Sequence, residues 1–439
     1  MADRRPLALS GSAGKRRWFG TDGVRGIVGE TLTPDLVERL GFAGTVWSGR
    51  GRVLVGRDTR ASGLELEAAL ACGIVSAGGV AVLAGVLPTP AVALMAHDLG
   101  TVVSASHNPP EYNGVKFFDR DGHKLSDVDE ERIEALLEAS LEGGGGAVGG
   151  GSVEHLEGAA ESHLEHILER FGSDLSGLRV VVDCANGAYA GIAPRAFERL
   201  GAEVTAIGNA PDGSNINVGC GATDLALLQE TVRSGSYDLG VAVDGDGDRI
   251  LAVDENGEVV DGDQLVAILA LALGVDQVAV TVMTNLGFHR LMNERGIRVH
   301  VTDVGDRHVL EALHREGALL GGEQSGHVIW LRDHVSGDGL AIALLLCASL
   351  GGRPLSEVAA VYEAYPQVKE NVRVGAREIP QGLVDEVERL NADLAGGGRV
   401  LVRPSGTEPV VRVLAEAESL VEAENLCARI ARLVEGTLK

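Results

Sequence analysis

Aromatic residues are scarce, at 3% of 439, so any core this chain builds must come from Val, Leu, Ile and Ala. Cysteine is scarce too. Cys72, Cys184, Cys220, Cys347 and Cys427 are scattered singly, with no C-x-x-C pair. An odd, dispersed set excludes a disulfide framework and a zinc cluster and reads as free thiols in a reducing compartment. No apolar run is long enough to span a bilayer. Met1 to Arg17 is small, polar and basic, without the apolar stretch of a secretory leader. The expected location is cytoplasmic. Basic residues are in deficit, 38 against 63 acidic, for a net charge of −25. That balance argues against nucleic acid or an anionic membrane as a partner, since both need a basic surface. A phosphate-bearing small molecule stays open, because a local cluster of Arg and backbone N–H groups can dominate inside a cleft.

Hydrophobic residues are abundant, at 45%, and the length suggests several domains. Thr33-Pro34 reads as a helix start, with Leu36, Val37 and Leu40 as its apolar stripe. Val53 to Val55, Val80 to Leu83 and Thr101 to Ser104 read as strands, with a helix over Leu64 to Val75. Strands apolar on both faces that alternate with helices indicate a parallel α/β sheet. After a glycine-rich stretch, Gly143 to Gly151, the pattern resumes: a helix over Glu161 to Phe171, then strands at Leu178 to Val182, Glu203 to Ile207 and Leu239 to Val243. A third unit starts near Asp261, with strands at Val278 to Val282 and Arg298 to Val301. From about Val368 the order changes to strand, helix, two strands and a closing helix over Leu420 to Leu433. The expected fold is α/β: three successive mixed α/β domains, 1–157, 158–257 and 258–367, plus a smaller C-terminal α+β domain, 368–439.

Four loops concentrate polar chemistry. Ser104-Ala105-Ser106-His107-Asn108-Pro109-Pro110 follows an apolar strand, where open α/β sheets place ligands. A serine there, in a Pro-locked turn, can serve as a nucleophile; the plain alternative is an ordinary Ser/Asn/Pro turn. No G-x-S-x-G elbow marks a serine hydrolase. Lys116, downstream, could serve as acid or base, bind phosphate, or be a solvated lysine. In Asp244-Gly245-Asp246-Gly247-Asp248-Arg249, three carboxylates alternate with glycines and can converge on one hard cation. A calcium hand also opens D-x-D-x-D, and Glu255 falls at its last ligand position. That loop wants Gly where Arg249 stands, and Ile250 to Val253 read as a strand. A plain acidic turn would leave the carboxylates repelling one another. Gly321 to His327 packs Glu323, Gln324, Ser325 and His327 into a glycine-flanked loop suited to sugar hydroxyls, or to water. Arg403-Pro404-Ser405-Gly406-Thr407-Glu408-Pro409, with Arg412 beyond, offers backbone donors, hydroxyls and guanidinium forks to a phosphate. Asn186-Gly187 and Gly191 hint at a dinucleotide fold, but G-x-G-x-x-G is absent.

In this order the four loops resemble those of the α-D-phosphohexomutase superfamily, and the likeness runs from Phe19-Gly20-Thr21-Asp22-Gly23-Val24-Arg25-Gly26 to the last helix. The opening stretch, Asp261-Gly262-Asp263-Gln264, Val282 to Gly287 and the last two loops are similar to the branch that acts on glucosamine phosphate. The resemblance implies four domains around a central cleft. It implies Ser106 as a phosphoserine, and Asp244, Asp246 and Asp248 as ligands of one Mg²⁺ per active site, with the Ser106 phosphate as a further ligand. Glu323 and Ser325 would bind sugar hydroxyls. Arg403, Ser405, Gly406, Thr407 and Arg412 would cradle the phosphate not being transferred. Arg25, Lys116 and His327 match positions for proton transfer or charge stabilisation. The implied reaction interconverts glucosamine 6-phosphate and glucosamine 1-phosphate, primed by a hexosamine or hexose 1,6-bisphosphate. A glucose- or mannose-phosphate mutase is the alternative within the fold, and a catalytically silent sugar-phosphate-binding protein the alternative outside it. The implied partner is a small phosphosugar, and a homodimer is compatible with all of this.

Overall fold

Uninterrupted aliphatic runs become strands buried on both faces. Leu99–Val103 and Leu239–Val243 are buried at every position. The computed structural model describes residues 17–20, 22–141, 149–375, 378–404 and 410–438. They divide into two compact units, Met1–Ala160 with Asp212–Ile216, and Glu161–Pro211 with Asn217–Lys439. Part of the glycine run, 143–148, lies outside the described residues.

The first unit holds strands β1 (Val24–Ile27), β2 (Arg52–Arg57), β3 (Val80–Val86), β4 (Leu99–Val103), β5 (Tyr112–Phe118) and β6 (Ser152–His155). They form one sheet in the order β1-β5-β4-β2-β3-β6. β4, β2, β3 and β6 run parallel, whereas β5 is antiparallel to β4 and to β1. Helix Pro34–Trp47 opens as its sequence implies, with the Thr33 hydroxyl accepting from Leu36 N at 3.3 Å and Pro at its first turn. It packs on helix Gly63–Ser76 through glycines. A methyl at Gly73 would sit 1.8 Å from the Glu38 carbonyl oxygen, and one at Gly41 2.4 Å from that of Leu70.

The second unit has three sheets. β7 (Arg179–Asp183), β8 (Glu203–Ile207), β9 (Leu239–Val243), β10 (Ile250–Asp254) and β11 (Val259–Val260) lie in the order β11-β10-β9-β7-β8. β9, β7 and β8 are parallel, and β10 reverses. β12 (Gln277–Thr281), β13 (Arg298–Thr302), β14 (Leu320–Gly322) and β15 (Val328–Trp330) lie in the order β13-β12-β14-β15, with β15 alone reversed. β16 (Gln367–Arg373), β17 (Gly398–Pro404) and β18 (Val410–Ala417) make an antiparallel sheet in the order β16-β18-β17. Helices Gln381–Asp393 and Leu420–Leu438 cover it through Leu383, Leu390, Ile430 and Val434. This is the small α+β domain that the order of its elements implies.

The first three sheets share one device. A buried parallel strand ends, a short loop follows, and the chain returns as an antiparallel neighbour: β4 to β5, β9 to β10, β14 to β15. Residues 104–111, 244–249 and 323–327 are those three loops. Polar side chains cluster there despite burial: Ser104, Ser106, Asp244, Asp246, Asp248, Glu323 and His327 are all buried. None of the described helices is long and apolar enough to cross a membrane.

Gly73→Ala should destabilise the first unit by about 1–3 kcal/mol, because the added methyl forces two helix backbones apart. Thermal or urea melts of the full chain check this, and an unchanged midpoint would contradict the close packing.

Candidate active site

The Ser106 loop is held by its backbone. Ser106 is buried with φ of +52°, a left-handed conformation that costs a non-glycine residue energy and persists where surroundings impose it. What imposes it is a buried ion pair. Arg60 Nε donates to Asp58 Oδ2 at 2.9 Å, and both side chains are fully buried. The same guanidinium donates to the carbonyls of Ser106 (3.0 Å), Asn108 (2.8 Å), Tyr112 (2.9 Å) and Pro109. Asp58 Oδ2 also accepts from Ser104 Oγ at 2.6 Å, and Ser104 Oγ accepts from Ser106 N at 2.9 Å. Ser104 is therefore a brace, and Ser106 is left with its hydroxyl 3.2 Å from His107 Nδ1. Sequence reasoning read a strand over Val53 to Val55 and missed Asp58 and Arg60 just beyond it. The available signal was an Asp-x-Arg triplet directly after a buried strand.

Arg25 and Lys116 reach the same region from neighbouring strands. Arg25 NH1 donates to Ala105 O at 3.1 Å and to Asn108 Oδ1 at 2.9 Å. Its strand can lie that close because Gly114 faces it, where a methyl would stand 2.8 Å from both Ser104 O and Val24 O. Lys116 Nζ lies 2.9 Å from Asp22, which also pairs with Arg25 and Lys124. Burial alone would raise the Asp22 carboxyl, but Lys116, Lys124 and Arg25 outweigh it and hold it well below the usual carboxylate range. Asp22 and Lys124 were not singled out from sequence.

In the second unit, Asp244, Asp246 and Asp248 are buried, with carboxylate oxygens within 4.8 Å of one another. Gly247, at φ +81°, folds the loop so that Gly247 N and Arg249 N donate to Asp244 Oδ1 at 3.1 and 3.2 Å. Three like charges this close repel unless a cation lies among them. The donors are all oxygen, so the set fits a hard divalent ion such as Mg²⁺. Arg249 shows the local field. Burial would lower its guanidinium, yet the carboxylates of Asp248, Asp244, Glu323 and Asp306 hold it raised. Ile250 onward is strand β10, so the loop is not a calcium hand.

The 323–327 loop sits against this one. Gly326 O accepts from Ile250 N at 2.9 Å, and a Cβ on Gly326, which has φ of +93°, would meet Ile250 O at 2.2 Å. Glu323 is buried, and its Oε1 accepts from Gly305 N at 2.8 Å. Ser325 is exposed at the tip. His327 is buried between two carboxylates, Nδ1 3.8 Å from Asp248 and Nε2 3.6 Å from Asp306. Asp261 caps helix Gly262–Ala272 in a reciprocal box with Gln264, and its other oxygen accepts from Gln324 at 3.2 Å. Gln324 in turn accepts from Lys369 Nζ at 2.7 Å.

Ser405, Gly406 and Thr407 lie outside the described residues. Arg403 and Arg412 face each other across β17 and β18 in register. With Lys369, Asn371 and Met283 they line a cavity of about 240 Å³. Like charges opposite one another across a sheet are destabilising, so this face suits an anion. Burial, and then Arg412, push the Arg403 guanidinium down. Strand alternation sends Val411, Val413 and Val400 to the core and leaves Arg412 and Arg403 on the other face. Lys369 is a cation of this cavity that sequence reasoning did not identify.

Asp263, beside the Asp261 cap, is buried, and its carboxyl is pushed up to about 7, first by burial and then by Asp261. The folded state therefore holds a proton that the unfolded chain releases near 3.8. The resulting stability is complete below that value and is lost as pH rises through about 7. Asp263→Asn keeps an oxygen to accept from Asn285 N and cannot ionise. Its melting temperature should fall less than the unmodified protein's between pH 5 and pH 8. Parallel pH profiles of melting would contradict a proton on Asp263.

Residues 16–143, 161–257 and 261–365 match the phosphoglucomutase/phosphomannomutase alpha/beta/alpha domains I, II and III, and 353–433 match the C-terminal domain of the same family. A phosphoglucosamine mutase of Moorella thermoacetica is 48% identical, covering 95% of this chain and 99% of that protein. One of Pelotomaculum thermopropionicum is 48% identical over 95% of this chain and 98% of its own. A solved phosphoglucomutase/phosphomannomutase family structure from Burkholderia thailandensis has a TM-score of 0.81 at 26% identity, covering 95% of this chain and 98% of that one. The four domains in order, the three strand-reversal loops and the likeness from end to end identify the chain as a member of the phosphoglucosamine mutase family of α-D-phosphohexomutases.

Proposed function

We propose that this protein interconverts glucosamine 6-phosphate and glucosamine 1-phosphate through a phosphorylated Ser106, for amino-sugar nucleotide and cell-wall precursor synthesis. The observation that carries the reading is the Ser106 loop, a hydroxyl on a backbone locked by the Arg60–Asp58 pair. The amino sugar is supported by near full-length relatives named phosphoglucosamine mutase.

Ser106 Oγ gives its phosphoryl group to the free O1 of glucosamine 6-phosphate, and the sugar hydroxyl loses its proton. The 1,6-bisphosphate turns over and returns its other phosphoryl group to Ser106. Glucosamine 1-phosphate leaves, and a 1,6-bisphosphate primes enzyme that has lost its phosphate. Asp244, Asp246 and Asp248 would hold Mg²⁺, which when bound supplies neutralising charge at phosphoryl oxygens. Arg25 and Lys116 stabilise charge on the transferring group. His327, buried between Asp248 and Asp306, moves the proton. Glu323 and Ser325 bind sugar hydroxyls. Arg403 and Arg412, with Ser405, Gly406 and Thr407, hold the phosphate that is not reacting, and Lys369 adds a third cation. A cytoplasmic location and a homodimer belong to the same proposal.

Ser106→Ala should abolish turnover and leave the melting temperature near that of the unmodified protein. Intact mass should show a phosphorylated fraction that the variant lacks. Near-normal turnover would remove Ser106 from the reaction.

Arg412→Ala removes a charge-assisted hydrogen bond worth roughly 1.5–3 kcal/mol. kcat/KM should drop by about tenfold to a hundredfold in both directions, because one cradle serves both ends of the sugar. A defect confined to one substrate would show that the cradle reads a single end.

A panel of glucosamine, glucose and mannose phosphates, primed with bisphosphate, decides between the amino-sugar reading and the phosphoglucomutase/phosphomannomutase reading. The highest kcat/KM should fall on glucosamine phosphate, and a higher value on either hexose overturns it.

A further inference from the structure

Tyr189 and Asp338 belong to none of the loops above, yet they meet in the interior of the second unit. Tyr189 follows strand β7, and Asp338 precedes helix Gly339–Ser349. Asp338 Oδ1 accepts from Leu340 N at 2.9 Å and Ala341 N at 3.1 Å, as a helix cap does. It accepts additionally from the Tyr189 hydroxyl at 2.6 Å. Its second oxygen lies 3.3 Å from His163 Nε2 and 3.3 Å from His334 Nε2. His163 Nε2 is also 3.0 Å from the Tyr189 hydroxyl. All four side chains are buried. Burial would raise the Asp338 carboxyl, but His163 and His334 outweigh it and hold it well below the usual range. A cap needs one oxygen and no imidazoles, so this carboxylate does more than start a helix.

The chain neighbours of these two residues show what it holds. Ala188, just before Tyr189, donates its N–H to Gly245 O at 2.9 Å. Gly339, just after Asp338, donates its N–H to Gly247 O at 2.9 Å. Gly245 and Gly247 are the residues that alternate with Asp244, Asp246 and Asp248. The approach is close on both sides: a Cβ on Gly187 would stand 2.3 Å from Gly245 O, and one on Gly339 2.5 Å from Arg249 O. Two backbone donors from different elements thus grip the acidic loop, and one buried side-chain cluster ties those elements together.

We infer that Asp338 is a positioning residue for the acidic loop: its contacts with Tyr189, His163 and His334 set the separation of the Ala188 and Gly339 donors, and so the spacing of the three carboxylates. The inference rests on the reading that those carboxylates hold a divalent cation.

The test compares the unmodified full chain with Tyr189→Phe, Asp338→Asn and Asp246→Asn. Hydrogen exchange is followed on metal-free protein, and Mn²⁺ binding is measured by electron paramagnetic resonance. Asn keeps the helix cap, so exchange within 339–349 should be unchanged, whereas residues 244–250 should exchange faster in Asp338→Asn and Tyr189→Phe. Mn²⁺ affinity should weaken by about tenfold to a hundredfold in Asp338→Asn, the usual cost of losing an outer support of a metal site. Unchanged exchange of 244–250 in both variants, even with a lowered melting temperature, overturns the positioning role and leaves Asp338 a structural cap. Should Asp338→Asn fail to fold, Tyr189→Phe, which deletes one hydroxyl, decides the matter alone. Unweakened Mn²⁺ binding by Asp246→Asn overturns the metal reading, while the exchange data still decide the positioning.

Discussion

A parallel strand that hands the chain straight to an antiparallel neighbour must reverse direction within a few residues, at the strand's carboxyl end. That reversal organises this protein. It leaves backbone groups outside the ladder, and it occurs beside a fully buried strand, where unpaired polar groups cost free energy. The loop must therefore be satisfied by side chains and neighbouring backbone, and the groups that do so become rigid. In the 104–111 loop the donor is Arg60. In the 244–249 loop the donors are the backbone of Ala188 and Gly339. In the 323–327 loop the donors are the backbone N–H groups of Ile250, to Gly326 O, and of Gly262, to Gln324 O. The requirement is met three times by different residues, which is why the three domains share a topology without an obvious sequence repeat.

Buried charge follows from the same requirement. Removing an ion pair from water is expensive, and the pair is retained only where several hydrogen bonds converge on it. Arg60 meets that condition with one carboxylate and four carbonyls, and Asp338 with a hydroxyl and two amides on one oxygen, while two imidazoles stand 3.3 Å from the other. An aliphatic, aromatic-poor core favours this use of charge. Val, Leu and Ala fill volume but orient nothing, so direction comes from the few long polar side chains that the core encloses.

The glycines have the complementary role. Gly114, Gly326 and Gly339 stand where a methyl would strike a backbone carbonyl of an adjacent loop or strand end. Each permits a backbone approach that brings a chemically useful neighbour, Arg25, His327 or the acidic loop, to its station.

Much of this was legible in the chain. Aliphatic runs that alternate with helices mark the strands because burial on both faces demands them, and Leu239–Val243 running into Asp244 places the acidic loop at a strand end from sequence alone. Short-range chemistry was equally readable: the Thr33 cap, the alternating Asp and Gly, and the Arg403 and Arg412 pair. The short strands β1, β14 and β15 were not, because three or four residues carry too little periodicity to distinguish from loop. Nor were Arg60, Asp22, Lys124, Lys369 and the Asp338 cluster. Each owes its position to partners in other elements or distant segments, as Lys369 does to Gln324 and Asp338 to His163 and Tyr189. Local sequence determined which segments became strands and which loops carried nucleophile, carboxylates and guanidinium groups, since those depend on neighbours along the chain. Only the tertiary structure decided which buried charges hold those loops in place, because hydrogen bonds between residues 45 to 149 positions apart leave no local pattern.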